Sequence, residues 1–258
     1  MSDIIPIVTP THKDHLSAIE IQRINLTLVS NPSSPHIFVI PESISSENLM
    51  SAFPDSQTIS KPHHFFTSIN AYNSLMLSKE FYVDFQPYKH ILISQTDSFV
   101  VRDITLLAKL DFPYMGASWN PSFKLTPIGK RIFVNRNFPK IINSFELHGG
   151  NGGLSLRNVN VMLNILKRGL DLPESRSFMH ENTRRINEDL AISYLCLKFG
   201  YEMPSRDTLN QIFVETNSKQ TYNKDTVFGF HGLDKHQPDI ESSLISYYQK
   251  KLNLLGSD

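Results

Sequence analysis

Apolar positions along the chain fall into two kinds of run. Short apolar clusters, Ile4–Val8 with its β-branched residues, Ile37–Ile40, "HILIS" at His90–Ser94, Leu154–Leu156 and Phe213–Glu215, predict strands. Between them lie stretches of helical spacing. Thr11 and Asp14 resemble an N-terminal cap for a first helix, whose Leu16, Ile19, Arg23 and Ile24 mark one side as far as Leu28. Phe65 to Phe85 carries Ile69, Tyr72, Leu75 and Phe81 inward. Further helices are expected at Asp103–Leu110, Asn158–Arg168 and Glu188–Phe199, with an amphipathic stretch at Ile240–Leu255. Residues 120–145 and 170–186 show little pattern and are expected as loops, and Phe228–Lys235 as a turn-rich segment.

Strands alternating with helices predict an α/β fold with a mainly parallel sheet. No repeat or low-complexity linker divides the 258 residues, so one domain over 1–258 is expected. Such sheets bind ligands beyond the carboxyl ends of their strands. This directs attention to Thr9, Pro10 and Thr11 after the first strand, and to Gln95, Thr96 and Asp97 after the third.

Charge adds an exclusion. Lysine and arginine number 25, as do aspartate and glutamate, so no overall field draws in nucleic acid. A single cysteine, Cys196, allows no intrachain disulfide and suits a reducing compartment. The start of the chain lacks a basic segment followed by an apolar core, and no run approaches the ~20 apolar residues of a membrane span. A cytoplasmic protein, peripheral to a membrane at most, is expected. The C-terminal stretch is expected either to pack on the domain or to serve a homodimer.

Four of the eleven glycines, Gly149, Gly150, Gly152 and Gly153, lie within five residues of "ELHGGNGGLSLRN". No Lys-Ser or Lys-Thr follows, and the Gly-x-Gly-x-x-Gly spacing fails, so a phosphate cradle is not indicated. A tight turn is the ordinary reading of such a cluster, and close passage of a ligand or another backbone is the other. Asp97 either ends its strand or holds a hard divalent cation against a diphosphate. Glu188 and Asp189 open a helix, where acidic residues complement the macrodipole, but two adjacent carboxylates also supply a general base and its partner. His231, one of ten histidines, stands between Gly229 and Gly232 in "FGFHG".

The order "QTD", "YMGASW", "GNGGLSLR", "NED" and "FGFH" resembles nucleotide-sugar glycosyltransferases of the GT-A fold. It is similar in particular to a family of predicted glycosyltransferases with Q-x-D, G-A-P-W, G-N-G-G-x-S-L-R and E-D motifs, and more distantly to Fringe-type transferases. The similarity spans residues 60–235. It implies a nucleotide-binding half at 1–110 and an acceptor and catalytic half at 111–258. It further implies transfer of a sugar from a nucleotide diphosphate, a UDP-sugar by analogy, to a glycan, a lipid-linked saccharide or another hydroxyl acceptor.

Under that resemblance Thr9, Pro10 and Thr11 face the ribonucleoside, Gln95 and Thr96 the ribose or phosphates, and Lys235 adds charge near the diphosphate. Asp97 and His231 hold manganese or magnesium. Gly150, Asn151, Gly152 and Gly153 flank the sugar and acceptor, with Trp119 as an aromatic face. His148 and Arg157 flank the glycine stretch and become further candidates, His148 on the sugar side. Asp189 deprotonates the acceptor with Glu188 assisting, which inverts the anomeric centre. The Asp-x-Asp usual in GT-A transferases is here Gln95-Thr96-Asp97, which puts the metal requirement in question. A non-catalytic nucleotide-sugar or glycan-binding module is the alternative reading.

Overall fold

The computed structural model describes residues 4–125, 131–132, 145–169, 172, 187–215, 222–235 and 237–255. Its centre is a six-stranded sheet in the order β3-β2-β1-β4-β10-β6. The strands are β1 (Ile7–Pro10), β2 (His36–Pro41), β3 (Gln57–Lys61), β4 (His90–Ser94), β6 (Tyr114–Gly116) and β10 (Leu154–Asn158). The first four strands of that order are parallel, and β10 runs antiparallel to both β4 and β6. The expected α/β architecture, a mostly parallel sheet flanked by helices, is therefore present.

Period-two patterning explains the two-sided core. Along β4, Ile91 and Ile93 point to one face and pack with Phe81, Tyr82, Met162, Ile165 and Leu195, while Leu92 points to the other with Ile7, Met115 and Leu156. A fully buried Leu or Phe contributes about 1.5–3 kcal/mol, and parallel strands covered on both faces need such apolar runs.

Helix α1 (Ala18–Val29) starts later than Thr11 and Asp14 suggest. Ser17 is its cap, and Glu20 returns a carboxylate to the Ser17 backbone N–H, a reciprocal pair that satisfies two orphan donors. The long helix expected from Phe65 to Phe85 is broken by the same chemistry. After a 3-10 turn at His63–Phe66, Ser68 caps α3 (Ile69–Met76) and Ser78 caps α4 (Lys79–Val83), each hydroxyl accepting an N–H three residues on. A short α2 (Glu47–Ala52) and α5 (Thr105–Ala108) complete the first part.

Part of the expected loop at 120–145 is sheet: β7 (Ser118–Leu125) pairs antiparallel with β9 (Phe145–Gly149) and with β8 (Arg131–Ile132). Most of the loop expected at 170–186 lies outside the described residues. A third sheet joins β5 (Ser98–Val100), β12 (Gly229–His231) and β11 (Phe213–Glu215). The remaining helices are α6 (Val159–Gly169), α7 (Glu188–Lys198), α8 (Arg206–Ile212) and α9 (Pro238–Leu255). Helix α9 packs on its own chain, with Leu244, Ile245 and Tyr248 against Leu26, Phe99 and Val101.

Two features of this topology position the site. The pairing of Leu154 with Ser94 brings the turn before β10 beside the carboxyl end of β4, where the Gln95 N–H donates to the Gly153 carbonyl at 2.9 Å. The pairing of His231 with Ser98 brings β12 to the same place, and the Gly232 N–H donates to the Asp97 carbonyl at 2.9 Å.

Candidate functional site

A cleft of about 880 Å³ opens at the carboxyl ends of β1 and β4. It gathers Pro10, Thr11, Gln95, Thr96, Asp97, Asn151, Gly152, Gly153, Glu188, Asp189 and His231, which come from five separate stretches of sequence. The remaining expected residues stand elsewhere. Thr9 is buried at 1% exposure, with its hydroxyl 2.9 Å from His36 Nε2. Trp119 packs half-buried against the core, and His148 lies on β9 with Nδ1 3.1 Å from the Ser122 hydroxyl. The backbone carbonyl of Gly150 accepts from the buried Tyr114 hydroxyl. None of these four lines the cleft. The Lys235 side chain falls outside the described residues.

Arg157, at 0% exposure, organises the floor beneath the cleft. Its Nη2 donates to Glu188 Oε1 at 3.0 Å and to the Gly152 carbonyl at 3.1 Å. Nη1 donates to the Tyr82 hydroxyl at 2.8 Å and Nε to the Ser155 hydroxyl at 3.0 Å. One guanidinium thus ties the glycine turn to the start of α7. Glu188 is thereby held by an ion pair.

Asp189 accepts from the Leu190 N–H at 2.7 Å. Burial, and then the negative charge of Glu188, push its carboxyl well above the ordinary range, against the opposing pull of that N–H. A carboxyl raised in this way, facing a cleft, is a stronger base than an exposed aspartate.

The bare backbone at Gly152 and Gly153 has a cause within the protein. A Cβ on Gly152 would lie 2.0 Å from Glu188 Oε1, and one on Gly153 would lie 2.1 Å from His231 Nε2. The glycines let a carboxylate and an imidazole press against the main chain, so the passage of a sugar ring is not needed to explain them. Gly153→Ala is expected to push the imidazole off its seat. The expected cost is about 1–3 kcal/mol, read as a lower urea midpoint with an unchanged slope.

His231 Nε2 lies 3.3 Å from Asp97 Oδ1, and its Nδ1 lies 3.8 Å from Glu215 Oε1. Asn151 braces this corner, donating to Glu215 Oε1 at 2.6 Å and accepting from the Gly153 N–H at 2.9 Å. Among the described residues no group of three or more His, Cys, Asp or Glu side chains forms a metal cage. Asp97 and His231 together present one carboxylate and one imidazole, fewer than such a cage needs.

Several lining residues lie outside the motifs. Lys13 Nζ donates to Glu20 Oε1 at 2.8 Å. Burial works to raise the Glu20 carboxyl, but hydrogen bonds from Lys13, Ser17 and Thr96 outweigh it and hold the pKa at about 2. Arg23 is 2% exposed and faces the cleft beside Asp234. The sequence signal for Arg23 was a charged residue on the apolar side of α1. That for Glu20 was the Ser17-x-x-Glu20 spacing.

Fold and cleft together define an α/β protein with a carboxylate-rich cleft at the ends of its strands. The chain belongs to the family described as "Protein of unknown function (DUF5672)", whose model matches residues 55–231, from just before β3 to the end of β12. No curated protein matches it.

Among solved structures it is similar to the galactosyltransferase LgtC in complex with donor and acceptor sugar analogs, at 15% identity and a TM-score of 0.47, over 74% of this chain and 70% of that one. It is also similar to the WbbM bifunctional glycosyltransferase, at 12% identity and 0.45, over 91% of this chain and 46% of that one. A third is 4-diphosphocytidyl-2C-methyl-D-erythritol synthase, at 9% identity and 0.38, over 77% and 87%. Among the described residues no helix is long and apolar enough to cross a membrane.

Proposed function

We propose that the chain is a glycosyltransferase that moves a sugar from a nucleotide diphosphate, a UDP-sugar in the first instance, to a hydroxyl of a glycan or lipid-linked acceptor. One observation carries the reading: a single cleft joins the Asp97–His231 pair to Asp189, a carboxyl with raised basicity. The first group suits a metal–diphosphate and the second an acceptor hydroxyl, the two partners that a transfer must bring together. Asp189 takes the proton of the acceptor hydroxyl as that oxygen bonds the anomeric carbon and the nucleotide diphosphate leaves. A single displacement of this kind inverts the anomeric centre. Glu188, fixed by Arg157, orients the first turn of α7 and supplies the charge that raises Asp189.

The balance of charge supports a divalent cation. Lys13 and Arg23 line the cleft against Glu20, Asp97, Glu188, Asp189 and Asp234, so acidic side chains outnumber basic ones. Both basic groups already have carboxylate partners. A diphosphate entering such a cleft needs positive charge brought with it. Manganese or magnesium held by Asp97 and His231 would neutralise the diphosphate and stabilise it as a leaving group. A chelator is expected to weaken UDP binding by at least about tenfold, corresponding to loss of a ligand contact of about 1.4 kcal/mol or more. Calorimetry with and without manganese reads this directly, and equal affinity in both would count against a metal.

The function itself is tested by offering a panel of nucleotide sugars with manganese and following nucleotide release. Slow hydrolysis of one donor marks an enzyme. Tight binding of that donor with no hydrolysis and no transfer to any acceptor marks a binding module instead.

A further inference from the structure

Arg23 makes more contacts than packing α1 requires. Its Nε and Nη2 form a two-pronged bond to Glu241 Oε1 and Oε2 at 2.8 and 2.9 Å. Glu241 is in α9, 218 residues away in sequence, and is itself 3% exposed. The free prong, Nη1, donates to the Thr96 backbone carbonyl at 3.0 Å. Nη2 also lies 3.3 Å from Asp234 Oδ2. Thr96 immediately precedes Asp97, and Asp234 lies three residues beyond His231. One buried guanidinium therefore touches both segments that carry the Asp97–His231 pair.

The Thr96 side chain also helps to keep the Glu20 carboxyl of helix α1 in its charged form. The Gly232 N–H to Asp97 carbonyl bond then closes the link between the two segments. Arginine is suited to this because its planar fork can serve a carboxylate and further acceptors at fixed angles, which a lysine cannot reproduce.

We propose that Arg23, aligned by Glu241 of α9, is a positioning residue that sets the placement of Asp97 against His231. The C-terminal helix thereby tunes how tightly the cleft holds a divalent cation with a diphosphate. The tuning of cation affinity rests on the glycosyltransferase reading, whereas the positioning of Asp97 concerns this chain alone. The two are separated by measuring local order without any ligand.

The test uses the full chain carrying Arg23→Lys, which keeps the charge and loses the fork. Amide hydrogen exchange is expected to speed up locally at residues 95–98 and 229–234, with the Gly232 amide as the direct reporter, while β2 and α6 keep wild-type rates. Affinity for manganese with UDP is expected to fall about 10- to 100-fold, the usual cost of removing an outer partner of a metal ligand. In turnover the loss sits mainly in KM for the donor, with kcat falling by a smaller factor.

Should Arg23→Lys fail to fold, the double variant Arg23→Met with Glu241→Leu removes both charges and leaves neither one buried alone. It is expected to show the same local exchange. Wild-type exchange at Gly232 in a folded variant would overturn the proposal, as would a uniform rise over the whole chain or a loss confined to kcat. If wild type binds no nucleotide and releases none from any nucleotide sugar, the functional reading fails. The exchange comparison then still decides the positioning role.

Discussion

Replacing Asp189 by Asn is expected to lower transfer by about 10²- to 10⁴-fold, the range that a general base supplies, while UDP and manganese still bind. Asn keeps the acceptor for the Leu190 N–H, so the start of α7 retains its geometry and only the basic oxygen is lost. In the wild type, activity should rise with pH along an acid limb. The midpoint of that limb lies above the ordinary carboxylate range, because burial and Glu188 hold the proton on Asp189. The variant should lose the limb along with its rate. Turnover equal to wild type in the folded variant would remove Asp189 from the mechanism.

The same substitution carries an opposite expectation for stability. The native carboxyl keeps its proton to a higher pH than the unfolded chain does, where an aspartate titrates near about 3.9. Between those two pKa values the native state binds more protons, so the wild type loses stability as pH rises through the window. Asn has nothing to ionise. Asp189→Asn should therefore melt higher than wild type at neutral pH, and the gap should close as pH falls below about 4. Each pKa unit is worth about 1.4 kcal/mol, or roughly 3–6 °C in melting temperature for a chain of this size. A variant that is both more stable and inactive is what a group strained for chemistry leaves behind.

Arg157→Ala is expected to have the largest effect on the fold. It strands Glu188 in a buried place and takes one hydrogen bond each from the Tyr82 hydroxyl and the Gly152 carbonyl, which keep Met76 and Ser155 as partners. Breaking a buried pair in this way costs about 3–5 kcal/mol, a large share of the 5–15 kcal/mol or so that holds a typical domain together. The urea midpoint should fall accordingly. The double variant Arg157→Met with Glu188→Leu should recover much of that loss, since no charge is then left buried alone. It is expected to stay inactive, because the Glu188 charge that adds to burial in raising Asp189 and the hold on Gly152 are both absent. A double variant no more stable than Arg157→Ala would show that the pair is not the source of the loss.

Much of the fold was legible locally. The apolar runs at Ile37–Ile40, His90–Ser94 and Phe213–Glu215 are strands because β-branched and aromatic side chains fit a pleated, covered sheet. The helices opening near Asn158 and at Glu188 follow from apolar spacing and acidic first turns. Misread boundaries have local causes too. Ser68 and Ser78 divide what reads as one long helix, because a serine hydroxyl satisfies the first N–H groups of a new helix as readily as it sits inside an old one. The β7–β9 pairing escaped because antiparallel partners find each other across a long connection, and neither strand alternates cleanly.

The candidate site divides in the same way. The sequence by itself determined the α/β class and marked Asp97, the Asn151–Gly153 turn, Glu188, Asp189 and His231, because strand ends, glycines and paired carboxylates are visible one stretch at a time. Only the tertiary structure decided that Glu188 is the one of the two carboxylates tied to Arg157. That choice depends on Arg157, whose partners lie 31 and 75 residues away. It also decided that the glycines are bare for the sake of Glu188 and His231, and that Thr9, Trp119 and His148 stand away from the cleft. Local propensity and spacing act within a few residues, so a sequence can show them. Charge pairing and close approach act through space, between segments that meet only when the sheet has formed.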